Sequence, residues 1–231
     1  MGGTPTGDLL GAALVLSVGL VALTLVLPGA GPVPTTAALL VFAFGTGLAV
    51  RAVQRGFPYG RLGLCNVTTL ARLALAAALV APLVAGADAS WPVLIVAVVA
   101  LALDGVDGWL ARWQGYASDF GARFDMEVDS ALALILALAA SMASGAGALA
   151  IILGLPRYLF FAAAHAFPWM QRDLPERFSR KGVCVLQLGT LIALQAPILP
   201  GWLAVCLVLV AALALVWSFA VDLAWLWRRR G

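Results

Sequence analysis

The sequence predicts an all-α integral membrane protein of about eight transmembrane helices, a six-helix core preceded by two extra N-terminal spans. Three observations carry that expectation. Of the 231 residues, 63% are apolar and only 11% charged, with a mean hydropathy of +1.03; soluble domains run at roughly 45–50% apolar and about 25% charged. Eight apolar runs approach the ~20 residues that a bilayer-crossing helix needs. Basic residues gather in every second gap between those runs, which is how positive charge sorts across a membrane.

The runs fall at 8–27, 35–54, 66–86, 91–112, 125–144, 147–167, 183–199 and 202–227. Gly and Pro punctuate the gaps, as in GAGPVP at 29–34 and the Pro200-Gly201 pair. No Lys or Arg precedes the first run, so it reads as a retained span rather than a signal peptide. Between Asp8 and Arg51 there is no ionisable residue at all, which sets the first two runs apart. The segment 55–65 (RGFPYGRLGLC) mixes basic, aromatic and Gly/Pro residues. It reads either as an interfacial stretch along the membrane surface or as an ordinary connecting loop. The expected division is a two-span extension over 1–60 and a core over 61–231.

Orientation follows from the basic gaps. Arg51, Arg55 and Arg61 follow the second run, and Arg112 and Arg123 separate the fourth from the fifth. Arg172, Arg177, Arg180 and Lys181 separate the sixth from the seventh, and Arg228, Arg229 and Arg230 close the chain. The gaps at 28–34, 87–90, 145–146 and 200–201 hold no Lys or Arg. Both termini are therefore expected on the cytoplasmic side. Arg72 and Arg157 are exceptions in location, each inside a run near its cytoplasmic end.

A net charge of +3 and a pI near 9.1 would suit nucleic acid only if the basic residues formed one patch. They are dispersed, so no nucleic-acid partner is expected. Cys65, Cys184 and Cys206 show no CxxC spacing, which indicates neither a disulfide framework nor a zinc site. Trp91, Trp109, Trp169, Trp202 and Trp227 fall near run ends and read as interfacial anchors. His165, the one histidine, reads as an interfacial hydrogen-bonding residue.

Of the eleven acidic residues, six fall between 104 and 129. Asp104 and Asp107 are three apart near the end of the fourth run; Asp125 and Asp129 are four apart at the start of the fifth. Each pair shares a helix face, and an antiparallel hairpin would let the pairs meet. An Asp deep in a membrane helix costs roughly 2.5–3.5 kcal/mol, and clustered carboxylates repel one another. Bound divalent cations remove both problems. Oxygen-only ligation suits Mg²⁺ or Mn²⁺ rather than zinc, and the four carboxylates match the charge of two such ions. Gly105, Gly108 and Gly121 lie beside the acids, where small residues allow close approach. Arg112, four residues beyond Gly108, suits a phosphate or a carboxylate. Asp119 and Glu127 read as ordinary loop charges.

Written as a pattern, the stretch is Asp104-x-x-Asp107-Gly108-x-x-Ala111-Arg112, eight residues, then Gly121-x-x-x-Asp125-x-x-x-Asp129. It resembles, without a departure, the signature of the class I CDP-alcohol phosphotransferase (CDP-alcohol phosphatidyltransferase) family. The Asn66-x-x-Thr69-x-x-Arg72 run also resembles that family's first core helix. The resemblance covers residues 60–231 as a six-span catalytic core. It implies a cytoplasm-facing cavity for two divalent metals (Mg²⁺ or Mn²⁺) and a CDP-linked lipid such as CDP-diacylglycerol, within a homodimer. Asp104, Asp107, Asp125 and Asp129 would be metal ligands, with Asp129 also the general base. Asn66, Thr69, Asp107, Gly108, Ala111, Arg112 and Gly121 would contact the CDP moiety. The expected location is a bacterial inner (cytoplasmic) membrane, among its lipids, with the site on the cytoplasmic face.

Arg157, Arg180 and Lys181 bear on the acceptor. In phosphatidylglycerophosphate and phosphatidylinositol-phosphate synthases, basic residues in comparable places bind the acceptor's phosphate. Glycerophosphate enzymes show Gly-Lys-x-Lys-Thr-x-x-Gln, whereas this chain reads Arg180-Lys181-Gly182-Val183-Cys184-x-x-Gln187, without the second Lys and the Thr. The expected acceptor is a small phosphorylated polyol, glycerol 3-phosphate first. Inositol phosphate, phosphatidylglycerol and an amino alcohol are the alternatives. In a different class, a divalent-cation transporter would hold its cargo on the same acids, but it needs no Gly108-x-x-Ala111-Arg112 spacing.

Overall fold

The computed structural model describes residues 4–171 and 177–228, and among these it is helical with no strand. Of the basic residues used for orientation, Arg172, Arg229 and Arg230 lie outside the described residues. The helices are α1 (Pro5–Val26), α2 (Pro32–Gln54), α3 (Leu64–Ala78), α4 (Val80–Val84), α5 (Trp91–Gln114), α6 (Asp119–Ala143), α7 (Ile151–Gly154), α8 (Pro156–Ala166), α9 (Phe178–Ala193) and α10 (Gly201–Arg228). Among the described residues, six legs are long and apolar enough to cross a bilayer: α1, α2, α3 with α4, α5, α6 and α10. Leu14 and Val15 on α1 are 71% exposed and Leu213 on α10 is 70% exposed. Apolar side chains left bare along whole helices need lipid to cover them.

Two of the eight expected spans differ from plain crossings. The run at 147–167 is broken: Gly147–Gly154 and Pro156–Ala166 meet at 51°. Pro156 has no N–H to continue the helix, and its ring crowds the preceding turn. Gly154, just before the break, lies so close to α6 that a Cβ there would sit 2.7 Å from the Ala137 Cβ and 3.2 Å from the Leu134 Cα. The run at 183–199 yields α9, which has only 16 residues. Its helix stops before Pro197 and Pro200, which cannot donate backbone hydrogen bonds.

Helix ends follow local chemistry. Gly115 adopts a left-handed conformation (φ 68°) that closes α5, as glycine does most easily. The Ser118 side chain accepts from the Gly121 N–H at 3.1 Å and starts α6 six residues earlier than the hydropathy alone predicts. Pro82 leaves the Ala78 carbonyl without its helical donor, and the chain makes a single turn at Leu79 between α3 and α4.

At the centre lies α3, which packs against α1, α2, α5 and α6. Ala76, Ala77 and Ala78 on α3, with Ala97 and Ala100 on α5, are fully buried; small side chains let these backbones approach. Although α5 and α6 are joined by a short turn, they have few close approaches, and α3 contacts both. The hairpin expected from the sequence is therefore splayed around a third helix.

The N-terminal pair is tied to the core at one end. The Asp8 carboxylate accepts from the Leu62 N–H at 3.3 Å and lies 3.7 Å from Arg61 Nε. The segment between α2 and α3 is not helical and packs against the turn between α5 and α6. Phe57 packs edge-on against Phe120, Tyr59 packs on Tyr116, and the Tyr59 hydroxyl donates to the Ala117 carbonyl at 2.8 Å.

Candidate active site

Asp104 and Asp107 project from the last turns of α5, and Asp125 and Asp129 from the first turns of α6. One carboxylate oxygen each from Asp104, Asp107 and Asp125 lie within 4.8 Å of one another. Between the pairs comes Arg72 of α3, whose side chain is only 1% exposed. Its Nη2 lies 2.8 Å from Asp104 Oδ1 and its Nη1 donates to Asp107 Oδ2 at 2.9 Å. The same guanidinium also pairs with Asp125 and Asp129, and its Nε donates to the Ala100 carbonyl at 3.2 Å. Asp129, outside the tight group of three, joins the cluster through Arg72. Asp107 is buried, whereas the other three acids are about a third exposed, so the cluster opens on their side.

These residues fit a divalent cation. The donors are all oxygens, as Mg²⁺ and Mn²⁺ prefer, and an octahedral ion with bonds of about 2.0–2.1 Å spreads its ligand oxygens over roughly 4 Å. Arg72 offsets one of the four negative charges, which leaves the cluster strongly anionic. A phosphate-bearing substrate would be repelled by that charge unless cations were present.

Other expected site residues gather at the same end of α3. Thr69 is buried, with its hydroxyl 3.0 Å from Asp107 Oδ2 and 3.1 Å from the Cys65 carbonyl. Asn66 is buried and donates from Nδ2 to the Leu62 carbonyl at 2.6 Å. A Cβ on Gly121 would lie 3.1 Å from Asn66 Oδ1, so this glycine lets α6 begin against α3. Gly108, Ala111 and Arg112 continue the Asp104 face of α5 for two turns. Beside Gly108 only the Arg112 Nη1 comes close, at 3.6 Å from an added Cβ. Arg112 is exposed and makes no ion pair among the described residues.

The basic residues expected at the acceptor are placed less uniformly. Arg157 pairs with Glu127, which points from the face of α6 opposite Asp125 and Asp129. Glu127 is the ion-pair partner of Arg157, and both side chains are more than a third exposed. Arg180 lies with its Nε 3.2 Å from Asp222 Oδ2, and Arg177 with its Nη1 3.2 Å from Asp222 Oδ1. Lys181 is exposed beside Arg180. The Gln187 amide donates to the Leu153 carbonyl, and His165 Nδ1 lies 3.2 Å from the Phe161 carbonyl.

Arg72 and Asp222 carry roles that the sequence reading did not assign. The signal for both was an unpaired ionisable residue inside an apolar run.

The chain matches the family model for CDP-alcohol phosphatidyltransferase over residues 62–223. Comparison with curated proteins and with solved structures gives no match. The family match spans most of the chain and contains the whole pattern from Asp104 to Asp129. The chain therefore belongs to the CDP-alcohol phosphatidyltransferase family, whose members pass a phosphatidyl group from a CDP-alcohol to an acceptor.

Proposed function

We propose that the protein moves the phosphatidyl group of CDP-diacylglycerol onto a small phosphorylated polyol, glycerol 3-phosphate first, and releases CMP. The observation that supports this reading is the convergence of Asp104, Asp107 and Asp125, with Asp129 tied in through Arg72, inside the matched family region. Domain division follows the same reading, with 1–60 an extension and 61–231 the catalytic core. So do the remaining features: a homodimer in a bacterial inner membrane, with the site on the cytoplasmic side.

Asp129 takes the proton of the acceptor hydroxyl. That oxygen attacks the phosphorus next to diacylglycerol; the new P–O bond forms as the pyrophosphate P–O bond breaks, and CMP leaves in line. Two Mg²⁺ or Mn²⁺ ions, held by Asp104, Asp107, Asp125 and Asp129, would supply charge compensation at the pyrophosphate. Asn66, Thr69, Asp107, Gly108, Ala111 and Gly121 shape the seat for the CDP moiety, and Arg112 offers its guanidinium to a phosphate. Arg180 and Lys181 receive the acceptor's phosphate, Arg180 being steadied by Asp222. Arg157, paired with Glu127 on the opposite face of α6, is left out of this acceptor seat.

A panel of acceptors tests the reading. Purified protein with CDP-diacylglycerol and Mn²⁺ should release CMP fastest with a phosphorylated polyol. In Arg180→Ala, KM for the phosphorylated acceptor should rise at least tenfold, with little change for an unphosphorylated alcohol. Full activity on inositol, phosphatidylglycerol or an amino alcohol, with none on phosphorylated polyols, would overturn the acceptor assignment.

A further inference from the structure

A cavity of about 710 Å³ lies between α2 and the face of α6 turned away from the aspartates. About half of its wall comes from α2 and the Arg55-Gly56 turn after it, outside the matched family region. At one end Val41, Phe44 and Leu48 make it apolar; at the other stand Arg55 and Arg123. Both arginines are exposed, and neither guanidinium has an ion-pair or hydrogen-bond partner among the described residues. Fourteen residues of helix separate Arg55 from Val41, about 21 Å along the axis. One leaflet's hydrocarbon is roughly 15 Å deep, so the cavity accommodates a headgroup and an acyl chain end to end. Asp119 and Glu127 also reach the charged end, but Glu127 is already paired with Arg157.

We propose that this seam binds one membrane phospholipid. Its phosphodiester sits on Arg55 and Arg123, and an acyl chain lies along Val41, Phe44 and Leu48. Two guanidinium groups facing one cavity complement a phosphodiester, and the apolar wall beyond them matches the chain attached to it. The site gives α2, the second N-terminal span, a function: it turns a bare face of α6 into a lipid seat. It is separate from the reacting centre and holds even if the acceptor assignment fails.

Thermal unfolding in detergent tests the proposal, with dioleoylphosphatidylglycerol compared against dioleoylglycerol, which has the same chains and no phosphate. The phospholipid should raise the melting temperature of the full-length protein by several degrees, and dioleoylglycerol should not. The double variant Arg55→Ala/Arg123→Ala should lose that shift while still releasing CMP, which separates this site from the active site. Ala52→Trp, which fills the cavity without touching charge, should lose the shift as well. Equal shifts from both lipids would overturn the proposal. So would a shift that survives in both variants, or a second copy of the chain covering the cavity with no phospholipid retained.

Discussion

Arg72 is the residue on which the geometry of the site turns. Four carboxylates approach its guanidinium, and no other cation among the described residues pairs with any of them. Removing one partner of a buried ion pair typically costs roughly 3–5 kcal/mol. Partial exposure of three of these acids lowers that to about 1–3 kcal/mol. Arg72→Gln should therefore unfold several degrees lower than wild type in EDTA, and Mn²⁺ should recover most of the loss. Arg72→Lys should fall between, because a single ammonium cannot fork between carboxylates as a guanidinium does. Equal unfolding temperatures in EDTA would show that Arg72 does not hold the cluster. Asp222→Asn should loosen Arg177 and Arg180 together and raise the acceptor KM about three- to tenfold without lowering kcat. At this scale the acids were legible because their spacing repeats at three and four residues. The partners of Arg72 and Asp222 were not, because they are 28 or more residues away in sequence.

Between helices, close approach is set by glycine. A Cβ on Gly145 would lie 2.3 Å from the Gly201 Cα, a backbone atom that cannot move aside as a side chain would. Gly145→Val should thus destabilise by about 1–3 kcal/mol through overpacking, whereas Gly105→Ala, with nothing within 4 Å, should leave the melting temperature unchanged. Thermal unfolding of the two variants side by side checks the contrast. Long apolar helices such as α1, α2 and α10 were legible because hydropathy alone specifies a span. The break at Pro156 and the short α9 were not, because an apolar run does not say whether its helix stays straight. Nor did spacing reveal that α3 stands between α5 and α6: a short connection predicts neighbours, but which third helix enters is decided by small-residue packing on α3.

Across the whole molecule, a bare apolar surface outside and an anionic cluster at one end of the bundle describe a membrane enzyme handling a charged headgroup. The matched family region carries that cluster, while α1 and α2 pack beside it and α2 lines the separate cavity. The most direct test of the central claim is CMP release by purified protein from CDP-diacylglycerol with Mn²⁺ and glycerol 3-phosphate, run for wild type and Asp129→Asn. Wild type should form CMP and phospholipid product in equal amounts, and EDTA should abolish both. Asp129→Asn should be slower by about 10²–10⁴-fold, the usual contribution of a general base, while still binding the donor. No CMP with any acceptor, or an unchanged rate in Asp129→Asn, would contradict the account.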